Sequence, residues 1–349
     1  MPVAGPDSVL TIGGSAGGVE ALIELVALLP ADLYAPVLVT VHVGSNSRSS
    51  LPTILARSGP LPAAHARHGE PLRPGRIYVA PPDVHLLAGG GVARLSSGPR
   101  VNRHRPAVDV MFASAARWAG SRLVAVVLSG VLDDGAVGAA LVARAGGRVL
   151  VQDPADALFD SMPRAALAAV PAAVAAPPAR LAKIIGETFT ELRDGRPSPD
   201  DGEEGRQDVA ETSMADSDDP GFLRADEALT RMSCPECSGG LAEIDLGPVR
   251  YYRCHVGHQY GPQSLEAAQR EAAEAKLWEA AAALEEHAAL ARHLAARPEG
   301  ALPVGASEGY RQVADRSATT ARALLARLQD RASAAAPPEG NGRRADVVE

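Results

Sequence analysis

Three residues far apart in the chain have the types and settings that acyl transfer needs. Ser15 stands in Gly13-Gly-Ser-Ala-Gly17, where the run Val9-Leu-Thr-Ile12 gives way to apolar residues at helical spacing (Val19, Leu22, Ile23, Val26, Leu29). Glycines around a serine at a strand-to-helix turn let the hydroxyl project. The first free N–H groups of the helix point at the same place, which suits a nucleophile beside an oxyanion site. The same residues would also serve as a plain N-cap and turn. His42 follows the almost uniformly apolar stretch Pro36–Val41, and Asp133-Asp134-Gly135 follows a third such run, Leu123–Leu128. Either aspartate would also suit an N-cap. Ser, His and Asp, each placed after a predicted strand, are the set that attacks an ester or amide. Other readings of the loop lack parts. A dinucleotide fingerprint needs a middle glycine where Ser15 stands and an acid where His42 stands, and a P-loop needs a lysine. An α/β-hydrolase places several strands before its serine and its acid before its histidine.

A second constellation collects every cysteine of the chain. Cys234-Pro-Glu-Cys237 is followed, after sixteen residues, by Cys254-His-Val-Gly-His258. Two short knuckles of this spacing converge on one tetrahedral zinc ion. Cys234, Cys237, Cys254 and His258 make a Cys₃His set. His255 is the alternative fourth ligand, although its adjacency to Cys254 gives a poorer bite. Between the knuckles, Leu241–Leu246 and Val249–Tyr252 predict a hairpin turning at Gly247-Pro248, as in zinc ribbons. Four protein ligands leave no position for water, so the expected Zn²⁺ is structural, and no cofactor is expected for catalysis.

The elements that must position these residues alternate. Strands are predicted at Val9–Ile12, Pro36–Val41, Arg76–Ala80, Leu123–Leu128 and Arg148–Val151. Helices are predicted at Gly17–Leu29, Ser50–Ala56, Asp109–Trp118 and Gly135–Arg144, with mixed helix and Pro-rich connection over Met162–Glu187. This is an α/β pattern: a doubly wound, mostly parallel sheet with helices on both faces. The expected organisation is a catalytic domain at 1–190, an acidic disordered linker at 191–225, a small zinc-ribbon-like module at 226–262, a helical hairpin at 263–332 and a disordered tail at 333–349. The hairpin seam is expected at Leu277, Ala281, Leu284, Ala288 and Ala291 against Val313, Ser317, Thr320, Leu324 and Leu328.

Composition limits the function classes. The 349 residues carry 34 basic and 42 acidic side chains, a net charge of −8, and only 3% aromatics. A nucleic-acid partner is disfavoured, because it would call for a basic face or a stacking platform. Residues 191–220 hold eleven acidic and three basic side chains, so the excess acidity belongs to that segment alone. Three cysteines suit a reducing compartment, and the absence of a long apolar run predicts a cytoplasmic chain with no direct membrane insertion.

With these residues in view, the stretch 9–187 resembles the chemotaxis protein-glutamate methylesterases. The resemblance rests on Gly13-Gly-Ser-Ala-Gly-Gly18, His42-Val-Gly-Ser and Ser129-Gly-Val-Leu-Asp-Asp-Gly-Ala136. Also matching are Ala80-Pro-Pro-Asp-Val-His85, Asn102-Arg-His-Arg-Pro106, Gln152-Asp-Pro-Ala and Met162-Pro-Arg164. It implies that the acid is Asp134, directly before the glycine. It also implies hydrolysis of glutamate γ-methyl esters on a chemoreceptor or related signalling protein, and in some members glutamine deamidation. Backbone N–H groups at Ala16 and Val131 are then expected to face the oxyanion; the family usually has Met at the second position. Arg103 and Arg105, with His104 between them, are expected to meet an anionic receptor helix. The family usually also carries an N-terminal receiver domain, whereas this sequence starts near the first catalytic strand, so phosphorylation control through such a domain is not expected. The competing expectation keeps the fold and makes the chain a catalytically silent scaffold.

Overall fold

A computed structural model describes residues 8–42, 49–195, 228–297, 303 and 306–335. Its strands run β1 (Val9–Gly14), β2 (Val37–Val41), β3 (Ala63–His65), β4 (Ile77–Val79), β5 (His85–Gly89), β6 (Val92–Ser96), β7 (Leu123–Val127), β8 (Arg148–Gln152) and β9 (Val174–Ala176). Between and after them lie α1 (Gly18–Ala27), α2 (Leu51–Ser58), α3 (Val108–Ala119), α4 (Ala136–Arg144), α5 (Ser161–Ala169) and α6 (Pro178–Arg193). Seven strands form one parallel sheet in the order β3-β4-β2-β1-β7-β8-β9, and β5 and β6 pair as a separate antiparallel hairpin.

Alternation along the strands feeds two cores. On one face, Val9, Leu38, Ala125 and Val151 pack with Phe112 of α3, Ala139 of α4 and Ala166 of α5. On the other, Leu10, Ile12, Val39 and Val126 pack with Leu22 and Leu25 of α1, Leu55 of α2 and Ile185 and Phe189 of α6. Strands buried on both faces need continuous apolar runs, which is what the sequence has. The chain leaves β1 in one direction through β2 and in the other through β7. The sheet therefore has its switch point at β1, and crevices form outside the carboxyl ends of strands at such a point.

The doubly wound parallel sheet is as expected, and the differences lie in short elements. β3 and β9 have three residues each, too few to display a period, and β9 lies within the Pro-rich stretch read as connection. The β5–β6 hairpin was not anticipated. α6 runs to Arg193, past the position where the linker was expected to begin; residues 196–225 lie outside the described residues.

A second sheet, antiparallel, joins β10 (Ala228–Ser233), β11 (Gly240–Asp245), β12 (Arg250–Cys254) and β13 (Gln259–Tyr260) in that order. The β11–β12 pair is the hairpin expected around Gly247-Pro248. Residues up to Ala268 belong to one compact unit and those from Gln269 to a second. Two long helices follow the second sheet, α7 (Pro262–Ala295) and α8 (Ala306–Ala335). In the second unit, His287 Nδ1 and Ser317 Oγ lie 3.1 Å apart, with Ala281, Ala288, Ala291, Ala314, Ala321 and Leu328 buried. On α8 the expected Ser317 and Leu328 are buried, while Ala314 and Ala321 take the places expected for Val313, only half-buried, and Thr320, exposed. Ala314 and Ala321 permit a closer approach than their β-branched neighbours. The tail was expected to begin at 333, but α8 reaches Ala335; residues beyond it lie outside the described ones. No helix among the described residues is long and apolar enough to cross a membrane.

Candidate active site and metal centre

β2, β1 and β7 are neighbours in the sheet, and their carboxyl ends deliver His42, Ser15 and Asp134 to one crevice. His42 Nδ1 lies 3.1 Å from Ser15 Oγ, and His42 Nε2 lies 2.7 Å from Asp134 Oδ2. The imidazole is thus turned with Nδ1 toward the serine, the opposite of the chymotrypsin arrangement, with the same connectivity.

Asp134 is fixed by four donors. Oδ2 accepts from His42 Nε2 and from the Val108 N–H at 2.7 Å, while Oδ1 accepts from Asn102 Nδ2 at 2.9 Å and the Asp109 N–H at 3.1 Å. Val108 and Asp109 are the first residues of α3, so the carboxylate also sits at a helix N-terminus. Burial opposes its charge. Even so, the hydrogen bond and charge of His42, the nearby His104 and the Val108 N–H hold this carboxyl well below the usual carboxylate range. Asp109 goes the other way. Burial first, then the charge of Asp134, pushes it well above that range, against the donors Gly138 N–H and Asn102 Nδ2.

His104 stacks on His42, ring centroids 3.5 Å apart and planes inclined by 12°. Burial, then the neighbouring His42, pushes the His104 pKa down to about 4, so it packs as a neutral ring. On the serine side, the Ser15 N–H donates to the Ser129 carbonyl at 3.0 Å. Ser129 Oγ in turn donates to the Ala16 carbonyl at 2.8 Å and accepts from the Phe159 N–H at 2.9 Å. Gly130 passes so close that a Cβ there would lie 2.9 Å from Ser15 Cβ. Val131, the next residue, is 41% exposed, so its side chain points away from the packed interior. Arg105 is committed within the chain: it donates to Asp83 Oδ1 at 2.9 and 3.1 Å and to the Ser97 and Gly98 carbonyls at 3.0 Å. Arg103 sits in a left-handed backbone conformation at φ 69° beside Asn102 at φ 51°.

The second constellation also converges. One ligand atom from each of Cys234, Cys237, Cys254 and His258 lies within 4.8 Å of the others. Cys237 Sγ and Cys254 Sγ are 3.5 Å apart, and His258 Nδ1 is 3.5 Å from Cys254 Sγ and 3.7 Å from Cys234 Sγ. A tetrahedral site with zinc–thiolate bonds of ~2.3 Å has edges of roughly 3.8 Å, so this thiolate-rich donor set fits a thiophilic ion such as zinc. His258, not His255, faces the cluster; the His255 ring lies against Gly239. Behind it, His258 Nε2 is 3.4 Å from Glu236 Oε2, and Glu236 Oε1 accepts from the Tyr260 hydroxyl at 2.8 Å.

Sequence reasoning did not find Asn102, Asp109 or the true partner of Asp133. Asp133 does not cap its own helix. Its carboxylate accepts from the Gln263 and Ser264 N–H groups at 2.8 and 3.1 Å and from the Ser264 hydroxyl, at the start of α7. The available signal was the polar stretch Asn102–Arg105, which drew attention to its arginines.

The family model described as CheB methylesterase matches residues 10–185. Among solved structures, the CheB methylesterase catalytic domain of Thermotoga maritima is 31% identical with a TM-score of 0.50, covering 53% of this chain and 99% of that one. A protein-glutamate methylesterase/protein-glutamine glutaminase 2 of Anaeromyxobacter dehalogenans is 43% identical over 159 residues, which is 46% of this chain and 47% of that protein. The protein of the same name from Caulobacter vibrioides is 41% identical over 167 residues, 46% of this chain and 48% of its own length. The chain therefore spans about half the length of the curated relatives it matches.

Proposed function

The chain belongs to the CheB methylesterase family, and from that premise we propose that it is a serine-type carboxylester hydrolase acting on glutamate γ-methyl esters of a methylated chemoreceptor or related signalling protein. Glutamine deamidation is a second activity of the same site, in line with the glutaminase half of the relatives' names. The observation that carries the reading is the hydrogen-bonded line Ser15–His42–Asp134 at the mouths of three adjacent strands.

In this mechanism His42 Nδ1 takes the Ser15 hydroxyl proton as Oγ attacks the ester carbonyl. The acyl–methoxy bond breaks, His42 returns the proton to the leaving oxygen, and methanol departs. Water then attacks the acyl-enzyme, its proton passing through His42 to Ser15 Oγ, and the free glutamate leaves. Asp134 fixes the imidazole tautomer and stabilises the imidazolium; its four donors keep it ionised for that work. Since the Ser15 N–H is spent on Ser129, the oxyanion donors are the N–H groups of Ala16 and Val131. Arg103 lies on the rim that an anionic receptor helix would meet, whereas His104 is turned in against His42; Arg105 shapes that rim through Asp83 rather than by direct contact.

Cys234, Cys237, Cys254 and His258 would hold a structural Zn²⁺, which when bound cross-links two knuckles and takes no part in the ester chemistry. Catalysis itself uses side chains and backbone donors. The expected outcome of Ser15→Ala is loss of methanol release from methylated receptor by roughly 10⁶-fold, the scale seen when a triad loses its nucleophile, with an unchanged circular dichroism spectrum. Activity retained by that variant would sink the assignment.

A further inference from the structure

The segment that follows the last cysteine-knuckle ligand runs directly into the support of Asp134. Gln259 comes immediately after His258, and the Asn102 N–H donates to its carbonyl at 2.8 Å. Val101 and Gln259 form an isolated parallel bridge. The Tyr260 hydroxyl lies 3.5 Å from Cys234 Sγ, which ties the same segment back to the ligand cluster. The Gly261 N–H donates to Asn102 Oδ1 at 2.7 Å. From there, Asn102 Nδ2 donates to Asp134 Oδ1 at 2.9 Å and to Asp109 Oδ2 at 2.8 Å. Asn102 is 1% exposed, and both ends of its side-chain amide are used: one toward the knuckle segment, the other toward the acid of the triad.

A parallel tie uses the adjacent aspartate. Asp133, 4% exposed, accepts the Gln263 and Ser264 N–H groups and the Ser264 hydroxyl, so it caps α7 in trans while Asp134 caps α3. Gly261 allows the approach: a Cβ there would run into the Asp133 carboxylate. Beside these polar ties, Ile244, Leu246 and Tyr251 of the second sheet share a buried cluster with Val101, Val110 and Val137 of the catalytic layer.

We infer that the Cys/His segment is a brace for the catalytic acid: metal held by Cys234, Cys237, Cys254 and His258 fixes Gln259–Ser264 against Asn102 and Asp133, and these positioning residues set Asp134 against His42. The inference rests on the triad reading above and adds a metal dependence to it. Metal binding is coupled to the folding of the loops that supply its ligands. Only four residues separate His258 from the Asp133 contact at Gln263, so loss of order at the knuckles is passed on through a short connection. The coupling is reciprocal, as any linkage between two equilibria is.

The test uses the full chain loaded with Zn²⁺. Stripping the metal with a chelator should lower kcat for methanol release about tenfold, leave KM within about twofold, quicken amide exchange at Val108 and Asp109, and be reversed by Zn²⁺ alone. A metal-free chain that stays folded and keeps its kcat overturns the inference, as does a chain that folds and turns over without ever binding metal. If metal removal unfolds the protein, Ser264→Ala decides, because it leaves the ligands intact. A fall in kcat of about fivefold at unchanged KM supports the brace, and wild-type kcat overturns it. Failure of the triad reading has a different signature, which is turnover by Zn²⁺-loaded Ser15→Ala.

Discussion

Two histidines in this chain share a geometry and differ in their surroundings. His42 turns Nδ1 to Ser15 and gives Nε2 to Asp134 at 2.7 Å, with side chains 7% and 2% exposed. His258 turns Nδ1 to the cysteine cluster and gives Nε2 to Glu236 at 3.4 Å, with side chains 15% and 30% exposed. The carboxylate behind His42 has four donors and lies under α3. The one behind His258 is shared with the Tyr260 hydroxyl and reaches solvent. Residues spread from 15 to 134 are held in place by strands buried on both faces, whereas residues within 234–258 rest on one small cluster that includes Cys234, Leu241, Cys254, Tyr260 and Leu265. A site built on a large core takes most of its shape from packing, with the brace behind Asp134 a smaller addition, and a site built on a small one needs a cross-link. The same pairing of imidazole and carboxylate therefore carries different weight in the two regions.

The largest expected effect breaks the stronger pair. Asp134→Asn should lower kcat by about 10⁴-fold, as when the triad acid is replaced by its amide and the tautomer is no longer fixed. Single-turnover methanol release measures it. A loss of tenfold or less would mean that the buried pair is no more demanding than the exposed one.

An intermediate effect concerns the ring stacked on His42. His104 has its pKa pushed down to about 4 by burial and by His42, from an ordinary 6.5. A depressed imidazole means that the unfolded chain binds the proton more readily than the folded one. The stability that His104 contributes is therefore full above pH 6.5 and is lost as pH falls from 6.5 toward 4, by about 3 kcal/mol over that window. His85, also buried, is shifted in the same direction by desolvation and adds to the slope. Urea unfolding at pH 7 and pH 5 should show the loss, and His104→Phe should flatten it. An unchanged slope in that variant would place the acid sensitivity elsewhere.

How much of this was legible follows from how each residue is placed. Ser15 and His42 were readable because one sits among glycines at a strand end and the other directly follows an apolar run, whereas Asp133 and Asp134 were equivalent by placement and the family resemblance chose Asp134. The cysteine knuckles were readable because their ligands come in pairs three and four positions apart, Cys234 with Cys237 and Cys254 with His258. Asn102 and Asp109 were not, since their role depends on α3 presenting its first N–H groups to a loop some twenty-five residues later. Asp133 looked like a cap and is one, but for a helix 130 positions away. No periodicity or local propensity encodes such a partner; only the docking of the second sheet on the first reveals it. By sequence His104 reads as a rim residue because its neighbours are arginines; its stacking depends on the left-handed turn at Asn102 and Arg103.

The smallest expected effect tests the weaker pair. A carboxylate behind a metal-ligating histidine orients the ring and raises its basicity as a ligand, and its loss typically costs 10- to 100-fold in metal affinity. Glu236 fills that place at 3.4 Å, longer than the His42–Asp134 contact, and part of its capacity goes to Tyr260. Glu236→Gln should therefore fall at the low end, weakening Zn²⁺ binding about tenfold in competition with a chromophoric chelator. The amide can still accept from the Tyr260 hydroxyl, so the loss reads the charge behind His258 and not the fold of the knuckle. A loss approaching 100-fold would show that partial exposure does not discount a carboxylate behind a ligand, and the contrast between the two histidines would then lie in their partners alone.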